Sequence, residues 1–337
     1  MMLKTAVDVG FGRVKALNEN MRKANFPAVV ADFQPLNFAS GMESGQSLAI
    51  EYQGRSWWIG EAAIRQSTAV RITTDRTRTT NEEGMALLAA GMAQVGENPQ
   101  ELVNLVIGLP VRFFAGMKEE YSKLTRDVHK INILSPGGAQ VKERRVIIVE
   151  GVKVLPQPFG TLFDCILDDS GSLRDRVLAG GRVGVVDVGW NTLDLCRADA
   201  LEYNNPQSDS FSGQGLFSAF QELSREIYRE LEVELPPERL EPIVRDRRIT
   251  LAGKKHDVSE LIDRAFSAAA EGILSRVRSL WPDRDRLLFD AILITGGGGA
   301  LIGEYLIPYL GAPARIVEGA IMANCRGYLK FARRVWK

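Results

Sequence analysis

One short pattern occurs twice in this chain. Ala6 to Lys15 reads A-V-D-V-G-F-G-R-V-K, and Val183 to Asp194 reads V-G-V-V-D-V-G-W-N-T-L-D. Each copy is an apolar run, an Asp, a Gly two places on and a return to apolar residues. Recurrence at a spacing of roughly 180 residues implies two copies of one supersecondary unit. A strand that turns on Gly and re-enters as a second strand leaves backbone N–H groups pointing into the bend, a nest that favours an anion. A carboxylate at the strand end cannot hold phosphate, but it can hold the magnesium that phosphate carries, usually through water. Two such units facing each other would clamp a nucleotide.

The rest of the chain permits this. Its 337 residues are enough for two domains with sizeable cores. Forty-two basic residues balance forty-two acidic ones, so no bulk field draws the chain to nucleic acid or to an anionic membrane. Near-zero charge also leaves self-association unopposed at long range. Cys165, Cys196 and Cys325 are widely spaced and form neither a disulfide framework nor a metal set. Met1–Thr5 lacks a signal-peptide core, and no apolar stretch reaches the ~20 residues that span a bilayer. A cytoplasmic location is the expectation.

Apolar periodicity places strands at Leu3–Val9 and Arg13–Leu17, then a small β-rich insertion from about Asn25 to Gly60. Asn81 caps a helix to Val95, Leu102–Leu109 is a buried strand, and Arg145–Val149 is another. Leu155–Pro158 reads as a loop and Phe159–Leu167 as a helix. The second half repeats the order. Strands Arg182–Asp187 and Leu193–Arg197 precede a polar loop, Tyr203–Gly213, and a helix, Leu216–Leu231. A short helix opened by Pro236-Pro237, a basic hairpin-like segment Arg245–Lys255 and a long helix Val258–Trp281 come next. Phe289–Thr295 is a buried strand, Gly296–Gly299 a turn, Ala300–Leu310 a helix and Ala320–Val335 the last helix. Strands followed by helices alternating with single strands, in both halves, argue an α/β architecture with internal duplication.

Chemistry concentrates at four places. After the first turn, Lys15 can swing back to a phosphate as a point charge, although a plain hairpin turn explains this segment equally well. The second turn gathers Asp187, Asn191, Thr192 and Asp194; two carboxylates in apolar strands are costly unless partnered or solvated, and structural ion pairing is the alternative. Gly296-Gly297-Gly298-Gly299 joins a buried strand to a helix. Four glycines cost backbone entropy that a simple turn does not require, and close approach of an anionic ligand at a helix N-terminus accounts for them. Gly213 and Gly215 are a weaker case of the same kind. His129 and His256 read as surface residues, and the basic stretches Arg71–Arg78, Arg144-Arg145 and Arg245–Lys255 as solvated faces. Trp57 and Trp58 place one ring inward and one outward.

Taken in order, D-x-G, D-x-G-x-x-T-x-D and the late G-G-G-G resemble the actin-like ATPase superfamily over nearly the whole chain. The G-L-P-V, L-P-Q-P and A-N-x-x-G-Y stretches are most similar to the ParM/StbA-type plasmid-segregation actins and related archaeal actin-like proteins. The fold this resemblance implies is α/β, an actin-like (RNase H-like) duplicated fold with two domains around a central nucleotide cleft. Domain I would be 1–160, with its insertion at about 25–70 and completion by a C-terminal helix at 320–337. Domain II would be 161–319, with an insertion at about 232–257.

By the same resemblance Asp8 and Asp187 hold Mg²⁺ through water, and Lys15 contacts the β- and γ-phosphates. Turn residues Gly10, Phe11, Gly12, Gly189, Trp190 and Asn191, with Thr192, cradle the phosphates of ATP or GTP. Gly213, Gly215 and Gly296–Gly299 line the nucleotide, and Gln157 orients the attacking water. A neutral amide positions a water but is a poor base, so turnover is expected to be slow. Phe11 stands where many actins carry a hydroxyl residue in the first turn. The implied function is an ATPase that polymerises with itself and is weakened by hydrolysis, in plasmid or DNA segregation or as a cytoskeletal element. A DNA-binding adaptor protein is the implied partner, with no direct contact to nucleic acid or membrane. The alternatives are a small-molecule kinase of the sugar or acetate type, which would need an acidic base that Pro156-Gln157-Pro158 does not offer, or a nucleotide-gated assembly factor of the pilus or division type.

Overall fold

Leu102–Leu109 is apolar but for Asn104 and Gly108, and Ala6, Val7 and Val9 make the end of Leu3–Val9 apolar around Asp8, which suits strands covered on both faces. That is where they lie in a computed structural model of the chain, which describes residues 2–38, 47–71, 79–138 and 140–337. The chain divides into two compact units, Met1–Arg176 with Met322–Lys337, and Val177–Ile321.

The first unit opens with strands β1 (Leu3–Val9), β2 (Arg13–Asn18) and β3 (Lys23–Pro27), an antiparallel meander. β4 (Val30–Asp32), β5 (Ala49–Tyr52) and β6 (Arg55–Ile59) follow, then helices α1 (Glu61–Gln66) and α2 (Glu82–Val95). Next come β7 (Gln100–Leu109), α3 (Val111–Thr125), β8 (Val128–Leu134), β9 (Val141–Pro156) and α4 (Gln157–Ile166). Among the described residues the strands make one nine-stranded sheet in the order β3-β2-β1-β7-β9-β8-β5-β6-β4.

After α5 (Arg176–Gly180), the second unit forms β10 (Arg182–Val188), β11 (Thr192–Asp199), β12 (Glu202–Tyr203) and β13 (Asp209–Ser212). Helices α6 (Leu216–Leu231) and α7 (Glu241–Asp246) lead to the hairpin β14 (Arg248–Leu251) and β15 (Lys254–Asp257). Then come α8 (Ser259–Leu280), α9 (Asp283–Arg286), β16 (Ala291–Thr295), α10 (Gly296–Leu310) and β17 (Ala314–Ile316). The chain then returns to the first unit as α11 (Ala323–Val335).

The duplication read from two motifs is a duplication of topology. β1 pairs antiparallel with β2 and parallel with β7, while β10 pairs antiparallel with β11 and parallel with β16. In the first unit α2 covers one face, where Met85, Leu88 and Met92 meet Val7, Val14 and Leu105. On the opposite face Cys325, Tyr328, Leu329 and Ala332 of α11 meet Ala6, Leu17 and Val106. In the second unit α6, α8 and α10 bury Phe220, Phe266 and Ile302 against Val186, Leu193 and Ile294. Each fully buried side chain of this size contributes about 1.5–3 kcal/mol.

Several expectations need correction. Trp57 and Trp58 do face opposite sides of β6, but both are buried, because Trp57 enters the core under α2 while Trp58 packs with Phe33, Ala62 and Ala63. His129 is a core residue on β8, hydrogen-bonded through both ring nitrogens, not a surface one. Arg145 is buried too; it donates to the Asn98 carbonyl and pairs with Glu143 at 2.7 Å. Gly296–Gly299 are no turn but the first turn of α10. Gln157 lies in no loop, since β9 runs through Pro156 directly into α4. Of the stretch Arg71–Arg78, residues 72–78 lie outside the described residues, and Arg71 pairs with Asp32 and Glu83.

Candidate functional site

In the first bend Asp8 on β1 sits directly opposite Lys15 on β2, and the turn closes with Gly10 N–H donating to the Arg13 carbonyl at 3.1 Å. Alternation along β1 sends Asp8 inward, where it is only 2% exposed. A lone carboxylate buried so deeply is costly, and here it is partnered twice. Lys15 Nζ lies 3.1 Å from Oδ2, and the Gln157 amide donates to Oδ1 at 3.0 Å. Phe11 at the tip is buried as well. Behind the pair, the Cys325 thiol packs on the carbonyls of Ala6 and Lys15 at 3.5 and 3.7 Å. Burial and the nearby Asp8 charge push that thiol far up, so it is no nucleophile.

Gln157 reaches Asp8 because α4 starts with it, immediately after the central strand β9 ends. Pro156 and Pro158 flank it; a proline in the first turn loses no helical hydrogen bond. The start of α4 is held down by α11. A Cβ on Gly327 would lie 1.7 Å from the Gly160 carbonyl oxygen, and one on Gly160 would lie 2.6 Å from the Asn324 Cα, so only glycine lets the two helices cross this closely. Asp164 further along α4 is paired with Arg326 and with Lys330, the latter at 2.8 Å.

The second bend copies the first at the backbone. Asp187 sits opposite Asp194, and Gly189 N–H donates to the Thr192 carbonyl at 2.8 Å. Both carboxylates are buried; Asp194 accepts from the Ser210 hydroxyl on β13. The carbonyls of Gly189 and Trp190 accept from Leu216 N–H and Phe217 N–H at 2.9 and 2.7 Å, so the first turn of α6 docks onto this loop. Gly215 leaves room for that contact, since a Cβ there would lie 2.5 Å from the Trp190 oxygen, and Gly213 N–H donates to the Asn191 carbonyl at 2.7 Å. Gly213 and Gly215 therefore shape the loop, and those two N–H groups of α6 are already used. Asp187 also borders the start of α10. Gly296, at φ +86°, has no side chain where a Cβ would strike Asp187 Oδ1 and the Val188 oxygen at 2.4 Å, while nothing lies within 4 Å of a Cβ on Gly297.

Two family models match the chain. Actin-like proteins, N-terminal domain, covers residues 6–160, and archaeal actin homologues, MreB-like, C-terminal, covers residues 185–307. The chain belongs to the actin-like proteins. No curated protein matches it in sequence. Among solved structures it is similar to Ta0583, an archaeal actin homolog, at 21% identity and a TM-score of 0.80 over 99% of this chain and 100% of that one. It is similar to ParM from a 15-stranded filament of Clostridium botulinum at 20% identity and 0.78, over 99% of both chains. Bacillus thuringiensis ParM with AMPPNP gives 16% and 0.74, over 97% of both.

In this actin-like chain the first bend holds one buried carboxylate, Asp8, and the second holds two, Asp187 and Asp194. Among the described residues no cluster of three or more His, Cys, Asp or Glu could hold a metal ion. An inward carboxylate at a bend, Asp8 in the first unit and Asp187 in the second, is the kind of donor that holds a hydrated magnesium through its waters. Sequence alone carries no sign that Tyr328 donates to the Gln157 main chain or that Asn324 accepts from Thr161, beyond the A-N-x-x-G-Y stretch that holds both. Among the described residues no helix is long and apolar enough to cross a membrane.

Proposed function

We propose that this actin-like chain binds MgATP, polymerises into filaments and hydrolyses ATP to destabilise them, in plasmid or DNA segregation or as a cytoskeletal element. The observation that carries the reading is the buried Asp8 carboxylate, held between Lys15 and Gln157 at the bend whose counterpart recurs at Asp187. Lys15 supplies a positive charge for the β- and γ-phosphates, and the turns at Phe11–Gly12 and Trp190–Asn191, which the Gly10 and Gly189 N–H groups close, cradle them. The N-terminus of α10 at Gly296–Gly299 adds a partial positive charge. The Gln157 amide orients a water for in-line attack without removing its proton, which makes turnover slow. Bound magnesium would neutralise charge on the transferring phosphoryl group. GTP in place of ATP fits the same groups.

Similar structures support this reading: Ta0583 has been solved in complex with ADP, Bacillus thuringiensis ParM with AMPPNP and Clostridium botulinum ParM as a filament. Head-to-tail contact between identical subunits gives an open filament rather than a closed ring when its rotation does not close. Balanced charge leaves such contacts unopposed and gives no field for DNA, so cargo would come through a DNA-binding adaptor. The test is light scattering with parallel phosphate release and negative-stain microscopy. Scattering should rise on MgATP and decay as phosphate appears. A chain that binds no nucleotide, or that stays monomeric with MgATP at about tens of micromolar, overturns the reading.

A further inference from the structure

The Gln157 amide donates to Asp8 at 3.0 Å, and the residue that carries it is held from α11 through its own main chain and through the next turn of α4. Tyr328 is fully buried, and its hydroxyl donates to the main-chain carbonyl of Gln157 at 3.3 Å. One turn along α4, Thr161 gives both its N–H and its hydroxyl to Asn324 Oδ1, at 3.1 and 2.7 Å. Asn324 and Tyr328 are four apart, so they lie on one face of α11 and grip successive turns of α4. Gly108 at the end of β7 completes the seat. A Cβ there would lie 1.9 Å from the Tyr328 hydroxyl and 2.9 Å from Gln157 Cγ. A phenylalanine would fill this space as well as a tyrosine, so the hydroxyl is a directional element added to the packing.

We propose that Tyr328 and Asn324 are positioning residues for Gln157, so that the rate of nucleotide hydrolysis is set through α11. This rests on the reading in which Gln157 orients the attacking water. A displacement of the amide by a fraction of an ångström leaves nucleotide affinity intact and spoils the line of attack.

The test measures single-turnover hydrolysis of MgATP, normalised to sedimented polymer, beside the affinity for a fluorescent ATP analogue. Tyr328→Phe and Asn324→Ala should each slow hydrolysis about 3–30-fold with affinity within about twofold. Added to Gln157→Ala, neither should slow it further. Thr161→Ala should slow hydrolysis while Thr161→Ser, which keeps the hydroxyl donor, should not; this pair reports even where Asn324→Ala fails to fold. Unchanged rates in Tyr328→Phe and Thr161→Ala overturn the proposal, as does an undiminished loss in the Gln157→Ala background. If Gln157→Ala itself hydrolyses at the normal rate, the functional reading of Gln157 fails instead, and this inference with it.

Discussion

Gln157 donates to Asp8 at 3.0 Å across 149 positions of sequence, linking the entry of α4 to the end of β1. Replacing the amide is accordingly the sharpest probe of the first bend. Gln157→Ala is expected to slow hydrolysis on the order of 10–1000-fold while nucleotide affinity stays near normal. Equal loss of binding and turnover would assign Gln157 to the integrity of the bend, and a direct titration of ATP beside phosphate release separates the two.

Asp187→Ala should abolish magnesium-dependent nucleotide binding, because the metal loses the carboxylate proposed to hold its waters and the one opposite, Asp194, is already bound by Ser210. Binding measured with magnesium and with EDTA should differ in the wild type and coincide in the variant. Turnover unchanged from wild type would make Asp187 a structural residue.

Gly327→Ala is expected to destabilise the first unit by about 1–3 kcal/mol or more, the range for overpacking. The added methyl would lie 1.7 Å from the Gly160 carbonyl oxygen, and two packed helices must part to admit it. Denaturant unfolding gives the number. A loss of a few tenths would show that the helices shift apart freely.

Acid should weaken the first unit through His129. Its Nε2 faces the Thr125 carbonyl at 2.8 Å and so must carry the proton, leaving Nδ1 to accept from the Tyr52 hydroxyl at 2.8 Å. Burial lowers the His129 pKa, outweighing the Thr125 carbonyl and Asp127. Burial and then Asp127 push the Tyr52 phenol up to about 12, so it remains a donor. Because the unfolded histidine takes its proton first, near pH 6.5, stability is complete above that value and falls as pH drops. The slope contributed by one group cannot exceed about 1.4 kcal/mol per pH unit. Unfolding at pH 7.5 and 5.5 should show a decline that His129→Gln lacks; equal slopes in the two proteins would refute the assignment.

The two bends were legible in sequence because each is local: an Asp and a Gly two places apart in an apolar run determine their own register. What sat far apart was not. Gln157 read as a loop residue because prolines flank it, although a proline within the first turn of a helix is well tolerated. His129 and Arg145 read as surface residues because polar neighbours surround them along the chain, whereas alternation on β8 and β9 turns them inward to partners contributed by Tyr52 and Asn98. Four glycines suggested a turn, and the helix that begins there is fixed by its contact with Val188 and Asp187, not by its own propensity. One of the two rings of Trp57 and Trp58 reads as outward because the layer that covers Trp58, with α1 in it, is too short to announce itself by periodicity.

The position of α11 bears on how the protein is made. Ala6, Leu17 and Val106 are synthesised early, yet the helix that shields them comes after all of Val177–Ile321. An unfinished chain on the ribosome therefore carries one uncovered, sticky sheet surface until its other half has been translated. That delay gives chaperones a defined window and a defined surface to guard.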